Sequence, residues 1–409
     1  MKKLRLITLL AALCFVFSAC TKEPEEVKAE PAFKETEEIT EQVKEPEHYT
    51  ARITAIGDIM VHSWQYNEAY NKETGEYDFY HNFTDVKKYF EKGDIVAGNL
   101  ETVFAGAERG ISDYPCFNTP DSFADALKDS GVDLVTTANN HCMDKGAQGL
   151  LRTIEVLDEK GFDHMGTYAD ELSRNKILIK NVNGIKMAFL SYTYGTNGIP
   201  VPEKYMVNLM DEQLIRSDIA RAKALNPDII IVMPHMGNEY ETYVRDVFKV
   251  WTDMMFDAGA DIILASHPHV LQPMEMKTIV NDDGTERQGF IIYSLGNFIS
   301  SQTTPPRNAS IILNIDVSLT EGERFSIDKV TFTPIWTQFR NASDKDDFCV
   351  RSVYDMLTLP EDKMFSVIRK KDLSRLKDIH YEVTGMYLDY DVPLEDIKDS
   401  YVFYEKEEN

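Results

Sequence analysis

Acid-led apolar runs that end in short polar clusters constrain this chain more than any other feature. Asp94-Ile-Val-Ala leads into Gly98-Asn99-Leu100-Glu101, and Asp133-Leu-Val-Thr-Thr-Ala into Asn139-Asn140-His141. Asp228-Ile-Ile-Ile-Val-Met leads into Pro234-His235, and Asp261-Ile-Ile-Leu-Ala-Ser into His267-Pro268-His269. A further cluster, Gly57-Asp58, also follows an apolar run. Runs this rich in β-branched residues are what a sheet covered on both faces requires, so each reads as a buried strand with polar residues at its C-terminal end. Open α/β sheets place ligand sites along that edge. Asp, Glu, Asn and His side chains from remote stretches therefore meet in one cleft, and this is a metal-binding vocabulary.

Between the runs lie helical spacings over 84–92, 122–130, 147–160, 211–224 and 246–258. Several close on glycine just before the next acid, as in Gly93-Asp94, Gly131-Val-Asp133 and Gly259-Ala-Asp261. Glycine past the last turn is the expected C-terminal cap, so the order is helix, cap, strand, polar loop, repeated. The intervals are unequal, which excludes a repeat array. Runs at 177–180, 186–192, 289–294, 310–318 and 329–334 look antiparallel or edge-like, with turns at Val182-Asn183-Gly184 and Asp282-Asp283-Gly284. The expected fold class is α/β (α+β): a mixed pair of sheets flanked by helices. Two long loops, 105–120 and 192–205, fall beside the expected site, where such loops shape substrate access.

The chain begins with Lys2, Lys3 and Arg5, an apolar stretch over 6–17 and Ser18-Ala19-Cys20, which matches a secretory signal over 1–19. Its apolar part is short for a membrane-spanning helix. Cys20 after Ser-Ala resembles a bacterial lipoprotein box, so an extracytoplasmic protein anchored to the cell membrane by a lipid on Cys20 is expected. Residues 20–48 are rich in Glu, Lys and Pro and cannot bury enough apolar surface to offset their ordering entropy, so they read as a disordered acidic tether. The body follows over 49–340, and 341–409 is a small C-terminal extension with one amphipathic stretch near 360–380, to which no chemistry is assigned. A formal net charge of −25 excludes unassisted binding to nucleic acid and favours cationic partners or bound cations. Cys116, Cys142 and Cys349 have no short spacing that implies a disulfide framework. Cys142, beside His141, is a conceivable nucleophile, but a small buried cysteine is the better reading.

Asp58, Glu101, Asn140, His235, His267 and His269 stand at corresponding strand ends and are the expected ligands of divalent metal, Mn²⁺, Fe²⁺ or Zn²⁺. Any one histidine is more often structural; the conjunction at one edge is what packing alone does not explain. Pro268 restricts the backbone between the two histidines and helps fix their relative direction. Two ions sharing a bridging carboxylate generate a hydroxide nucleophile and clamp an oxyanion, as in phosphoester and some amide hydrolysis. His141 is then the candidate general acid, with Asp144 as its orienting partner. No Ser-His-Asp arrangement or phosphate-cradling glycine loop competes.

Six ordered motifs carry a resemblance. Gly57-Asp58-Ile-Met, Gly98-Asn99-Leu100-Glu101, Asn139-Asn140-His141 with Asp144 and Gly146, Pro234-His235-Met-Gly237-Asn-Glu239-Tyr240, His267-Pro268-His269-Val270-Leu-Gln272 and Tyr293-Ser294-Leu295-Gly296-Asn297-Phe298 together resemble the CapA family of capsule (poly-γ-glutamate) synthesis proteins over about 49–301. That family is similar to the calcineurin-like metallophosphatases. The resemblance therefore implies a metallophosphatase-like two-sheet sandwich in a surface protein serving synthesis, export or anchoring of a γ-linked glutamate polymer, with that anionic polymer or its synthase as partner. Carried over by residue, it implies Asp58 as the first metal aspartate, Asn140 and His141 as the asparagine-histidine pair, His235 as the lone histidine, and His267 with His269 as the final pair. The usual Asp-x-His is here Asp58-Ile-Met60, with His62 nearby as a substitute. The usual bridging aspartate is Asn99, which leaves Glu101 to supply the shared carboxylate. Asn99 and Asn297, within the matching motifs, are the expected substrate contacts. Three readings follow: a metal-dependent hydrolase or transferase of capsule metabolism, which is preferred; a non-catalytic component binding the polymer or its synthase; and a phosphoesterase unrelated to capsule.

Overall fold

The computed structural model describes residues 46–281 and 283–407; the expected signal segment, Cys20 and all but the end of the tether lie outside the described residues. In the first sheet β1 (His48–Ile59), β2 (Ile95–Leu100), β3 (Leu134–Thr136) and β4 (Asp163–Met165) run parallel, side by side. The second sheet is built from β5 (Leu178–Val182), β6 (Ile185–Thr193), β7 (Ile229–His235), β8 (Ile262–Leu264), β9 (Met274–Val280) and β10 (Glu286–Ile292), in the order β5-β6-β7-β8-β10-β9. The chain then returns to the first sheet. β11 (Asn297–Ile299) pairs with β1, while β12 (Ala309–Thr320), β13 (Ser326–Arg340) and β14 (Asp346–Ser352) extend it antiparallel from the free side of β1, and β15 (Tyr401–Glu405) pairs with β13.

The two sheets share one buried cluster, in which Ile53, Ala55 and Leu313 of the first meet Ile231, Leu264 and Phe290 of the second. Alternate side chains point outward and need separate cover. Ile56, Val96 and Val135 pack with Phe123 and Leu127 of helix Ser122–Asp129. Val232 and Ile263 pack with Ile219 of helix Glu212–Ala224 and Met255 of helix Asp246–Ala258. Cover on both faces is why the central runs are apolar at consecutive residues rather than alternating. The described residues form a two-sheet α/β sandwich flanked by helices.

The leading acids clamp neighbouring strands. Asp94 Oδ2 accepts from Arg52 N at 2.7 Å, Asp133 Oδ2 from Val96 N at 2.9 Å, Asp228 Oδ2 from Lys186 N at 2.7 Å and Asp261 Oδ2 from Ile230 N at 2.8 Å. In each case the acid's own N–H donates to the carbonyl of the same neighbouring residue. The paired bonds satisfy backbone groups at the strand start and fix register there. At the other end Asp58 comes opposite Asn99 and Asn297, Asn99 opposite Thr136, and His235 opposite Thr193 and Ser266.

Three expectations change. Residues 186–192 and 289–294, read as antiparallel or edge strands, lie mostly in β6 and β10, interior strands with one antiparallel and one parallel neighbour each. Their hairpin turns are local and visible in sequence, whereas the parallel partners β7 and β8 are brought alongside by helical crossovers or from earlier in the chain. Residues 84–92 yield only the short helix Lys87–Phe90 after a 3₁₀ turn at Tyr80–Phe83. Residues beyond 340 are built into the same body: β14 and β15 widen the first sheet, and helix Asp372–Leu388 places Leu376, Ile379 and Val383 in the inter-sheet cluster.

Candidate metal centre

Close backbone approach positions the first ligand. The pairing of β1 with β2 is irregular between Ala55 and Asp58, and Asp58 N donates to Gly296 O at 2.8 Å. A Cβ on Gly57 would stand 1.9 Å from that same oxygen, so only glycine lets the chain pass. Glu101 follows β2 directly and is held by its N–H to Ile59 O at 3.0 Å. His235 ends β7. His267 and His269 lie beyond β8 with φ of 106° and 58°, a left-handed backbone that side-chain-bearing residues adopt at a cost of about 1–3 kcal/mol each. Neighbouring donors hold this turn: Met236 N reaches Ser266 O, Tyr240 N reaches Pro268 O, and Ser294 Oγ donates to Val270 O at 2.7 Å.

Five buried side chains converge in two overlapping triads, Glu101 with His267 and His269, and Asp58 with Glu101 and His235, the offered atoms within 4.8 Å of one another in each. Glu101 belongs to both. Its Oε1 stands 3.6 Å from His269 Nε2 and 3.7 Å from His235 Nε2, too far for hydrogen bonds, and is buried without a hydrogen-bond partner, as is His267 Nδ1. Buried polar atoms left unpaired are costly, and a divalent ion among these oxygens and nitrogens would satisfy them. The donor set fits such an ion.

The surrounding hydrogen bonds orient the ligands. Asp58 Oδ2 accepts from His269 Nδ1 at 3.1 Å, and Asp58 Oδ1 from Asn99 Nδ2 at 2.8 Å. Asn99 Nδ2 also lies 3.1 Å from Glu101 Oε2 and 3.2 Å from His235 Nδ1. Asn139 Nδ2 donates to Asn99 Oδ1 at 3.3 Å and to Leu100 O at 2.7 Å, which turns the donor end of Asn99 toward the carboxylates. His235 Nε2 lies 2.7 Å from Asn140 Oδ1, and its Nδ1 3.1 Å from Ser266 Oγ, so the tautomer decides which nitrogen is left to face an ion. Burial, then the charge of Asp58, raises the Glu101 carboxyl well above its ordinary range. Burial, then neighbouring histidines, holds His235 well below the ordinary imidazole value and His267 down to about 3. A cation at this point favours ionised Glu101 and uses the imidazole lone pairs that protonation would remove.

Beside the triads, His141 Nδ1 donates to Asp144 Oδ2 at 2.8 Å, and Phe117 N donates to the same oxygen at 2.7 Å. The Phe117 ring meets the imidazole edge-on at 4.7 Å between centroids. Both expected long loops thus touch the site, the first through Phe117 and the second through Tyr194, whose ring lies 4.6 Å from that of His267. Burial and the Glu101 charge push the Tyr194 phenol up to about 12.

The structure therefore brings Asp58, Glu101, His235, His267 and His269 together. Asn140 joins through its bond to His235. Asn99, expected as a substrate contact, uses its amide inside the cluster. Asn297 Nδ2 donates to His269 O at 3.2 Å and Arg307 O at 3.0 Å, and its Oδ1 is buried without a partner. His62 belongs to neither triad; its Nδ1 accepts from Ser301 N at 3.2 Å, and burial holds its pKa down to about 4. The Cys142 thiol is pushed up to about 12 by burial, which leaves it no thiolate character at neutral pH. Tyr194 and Ser266 have no role assigned from sequence, and Asn139 is named there only as part of a matching motif. The place of Tyr194 in a long loop beside the site was the one available signal.

Residues 52–302 match the family described as "Bacterial capsule synthesis protein PGA_cap". The chain is similar to the capsule biosynthesis protein CapA of Bacillus anthracis, 30% identical over 278 residues covering 65% of this chain and 63% of that protein. It is also similar to the PGA biosynthesis protein CapA of Bacillus subtilis (strain 168), 31% identical over 267 residues covering 63% of this chain and 65% of that one. The chain thus spans somewhat less than two thirds of the length of these relatives. Among solved structures, the calcineurin-like phosphoesterase YfkN from Bacillus subtilis is 14% identical with a TM-score of 0.43, over 81% of this chain and 99% of that one.

Proposed function

The chain belongs to the PGA_cap family of bacterial capsule synthesis proteins, and from that premise we propose that it is a divalent-metal-dependent hydrolase or transferase acting on a γ-linked glutamate polymer at the cell surface. One observation carries the reading: buried Glu101, whose Oε1 has no hydrogen-bond partner, is common to two ligand triads. Asp58, Glu101, His235, His267 and His269 would hold the ion, an oxygen and nitrogen set suited to Mn²⁺, Fe²⁺ or Zn²⁺. When bound, such an ion supplies an activated water and stabilises a developing oxyanion. Asn99 steadies Asp58 and Glu101 through its two-sided amide contact. Asp144 fixes the ring of His141 through Nδ1, which directs Nε2 away from the carboxylate as the group that hands a proton to the departing nitrogen or oxygen. The acylated Cys20 and the 20–48 tether would hold the body outside the membrane, with the capsule polymer or its synthase as partner and no role for nucleic acid.

A second reading, a component that binds polymer or synthase without turning it over, draws support from Asn99. Its amide directs a donor between Asp58 and Glu101, where a bridging carboxylate would instead strengthen a second ion. The full chain, assayed for bound metal and for cleavage of γ-glutamyl oligomers and phosphodiesters with and without chelator, separates the readings. Chelator-sensitive cleavage of γ-glutamyl bonds supports the enzyme. Chelator-sensitive polymer binding without turnover supports the binding component, phosphodiester cleavage with an unchanged capsule in a deletion strain supports an unrelated phosphoesterase, and a metal-free inert protein refutes a metal-dependent role.

A further inference from the structure

We propose a second subsite, one that takes carboxylates of the polymer without a metal ion, in a pocket of about 320 Å³ lined by Trp64, Asn308, Trp336 and three arginines. The identity of its ligand rests on the reading of a γ-linked glutamate chain as substrate. Two N–H groups of residues lining the pocket are buried and have no hydrogen-bond partner: Trp336 Nε1, on a side chain 2% exposed, and Arg375 Nη2. Orphan donors are uncommon in folded proteins, and two of them on one pocket point to an acceptor that the chain does not itself provide. The rest of the Arg375 guanidinium is engaged, Nε donating to Asn308 Oδ1 at 3.1 Å and Nη1 to Glu382 Oε1 at 2.7 Å. The free edge is therefore held in a fixed direction.

Charge selects the ligand further. Arg340, Arg369 and Arg375 line the pocket together with Asp346 and Asp372, and with Glu382 bound to Arg375 and Asp344 to Arg369 each guanidinium is answered by a carboxylate, which leaves no surplus charge to hold a doubly charged ligand. Arg369 is paired bidentately with Asp372 at 2.7 and 2.8 Å, and Arg340 reaches Asp346 at 3.2 Å. A singly charged carboxylate with two acceptor oxygens matches this balance better than a doubly charged phosphate. Trp64, 56% exposed, offers an apolar face for the methylene groups between successive carboxylates of a γ-linked chain.

One loop contributes to the pocket and is tied to the metal centre. Thr303, Pro305 and Asn308 line the pocket, and in the same loop Arg307 O accepts from Asn297 Nδ2, which also holds His269 O. Arg369 and Arg375 lie beyond the family match at 52–302, so the subsite also gives the C-terminal segment a function.

The test uses the full chain with chelator present, titrated calorimetrically with a γ-linked glutamate oligomer, then with free glutamate and inorganic phosphate as competitors. Metal-free wild type should bind the oligomer, and Trp336→Phe and Arg375→Gln should each weaken binding about tenfold, the worth of one hydrogen bond to a charged group. Trp64→Ala, on an exposed side chain that leaves folding intact, should weaken it several-fold. Phosphate or free glutamate competing as well as the oligomer would overturn the polymer assignment. Absence of metal-free binding, or unchanged affinity in folded variants, would overturn the pocket. Metal content and chelator-sensitive turnover of wild type report on the metal centre separately, so either reading can fail alone.

Discussion

Replacing Gly57 with alanine separates backbone closeness from ligand chemistry as the cause of the metal centre's geometry. The new Cβ would lie 1.9 Å from Gly296 O, 2.9 Å from Gly296 C and 3.0 Å from Leu295 O, all backbone atoms that cannot swing aside. Relief requires β1 and the turn at 294–297 to part by about 1 Å or more, which stretches the 2.8 Å bond from Asp58 N to Gly296 O past hydrogen-bonding range. Overpacking of this kind costs about 1–3 kcal/mol, and the lost hydrogen bond about 1 kcal/mol more. The stiffer unfolded chain returns about 0.5 kcal/mol, so the expected net loss is roughly 1.5–3.5 kcal/mol. Because Asp58 lies opposite Asn297, the same movement shifts a ligand and lowers metal affinity. Urea unfolding of the chelated full chain gives the first quantity, and metal titration the second. A variant within about 0.5 kcal/mol of wild type, with undiminished metal affinity, would refute the reasoning.

Glu101→Gln should reduce bound metal yet stabilise the metal-free protein at pH 7, because a carboxyl whose folded pKa is raised weakens the fold above its unfolded pKa; thermal unfolding in chelator reads the sign, and a less stable variant counts against it. Asn99→Asp should raise the metal bound per chain and widen the gap in Tm between loaded and chelated protein, so unchanged stoichiometry by elemental analysis would clear Asn99 of limiting a second ion. His62, held to about 4 against an ordinary 6.5, takes up its proton first in the unfolded chain as pH falls, so the stability it contributes above about 6.5 is lost toward about 4. Between pH 7 and 5 that loss is about 2 kcal/mol, and His62→Gln should flatten the slope of denaturant midpoint against pH in chelated protein; parallel slopes would contradict it. Buried Cys142 and Cys349, each pushed up to about 12, should resist iodoacetamide in the native chain while the less buried Cys116 reacts, as peptide mapping would reveal.

Much of the architecture was legible because burial on two faces leaves a plain mark: the runs after Asp94, Asp133, Asp228 and Asp261 admit few alternatives to central strands. Helix Asp246–Ala258 was legible to the residue, with an acid at its start and glycine past its end. The ligand types stood out because carboxylates and imidazoles at strand ends serve no packing purpose. Other features depend on partners far along the chain. Nothing in His267-Pro268-His269 announces two left-handed residues, since no glycine marks them. The direction of the Asn99 amide is set by Asn139 from another loop, and the interior places of β6 and β10 by strands that arrive by other routes. Trp336 and Arg375 resemble any buried indole and any helical arginine until the fold sets them on one pocket.

The clamps made by Asp94, Asp133, Asp228 and Asp261 sit at strand beginnings, the rim remote from the ligands. They act as alignment pins. A slip of a single residue in any of these strands would turn its whole side-chain pattern over, so four carboxylates without chemistry of their own decide which groups come level across the sheets. Assembly is thereby seated at one rim and the candidate metal centre at the other, and that second rim is left open to exchange of its side chains while the strands keep their places.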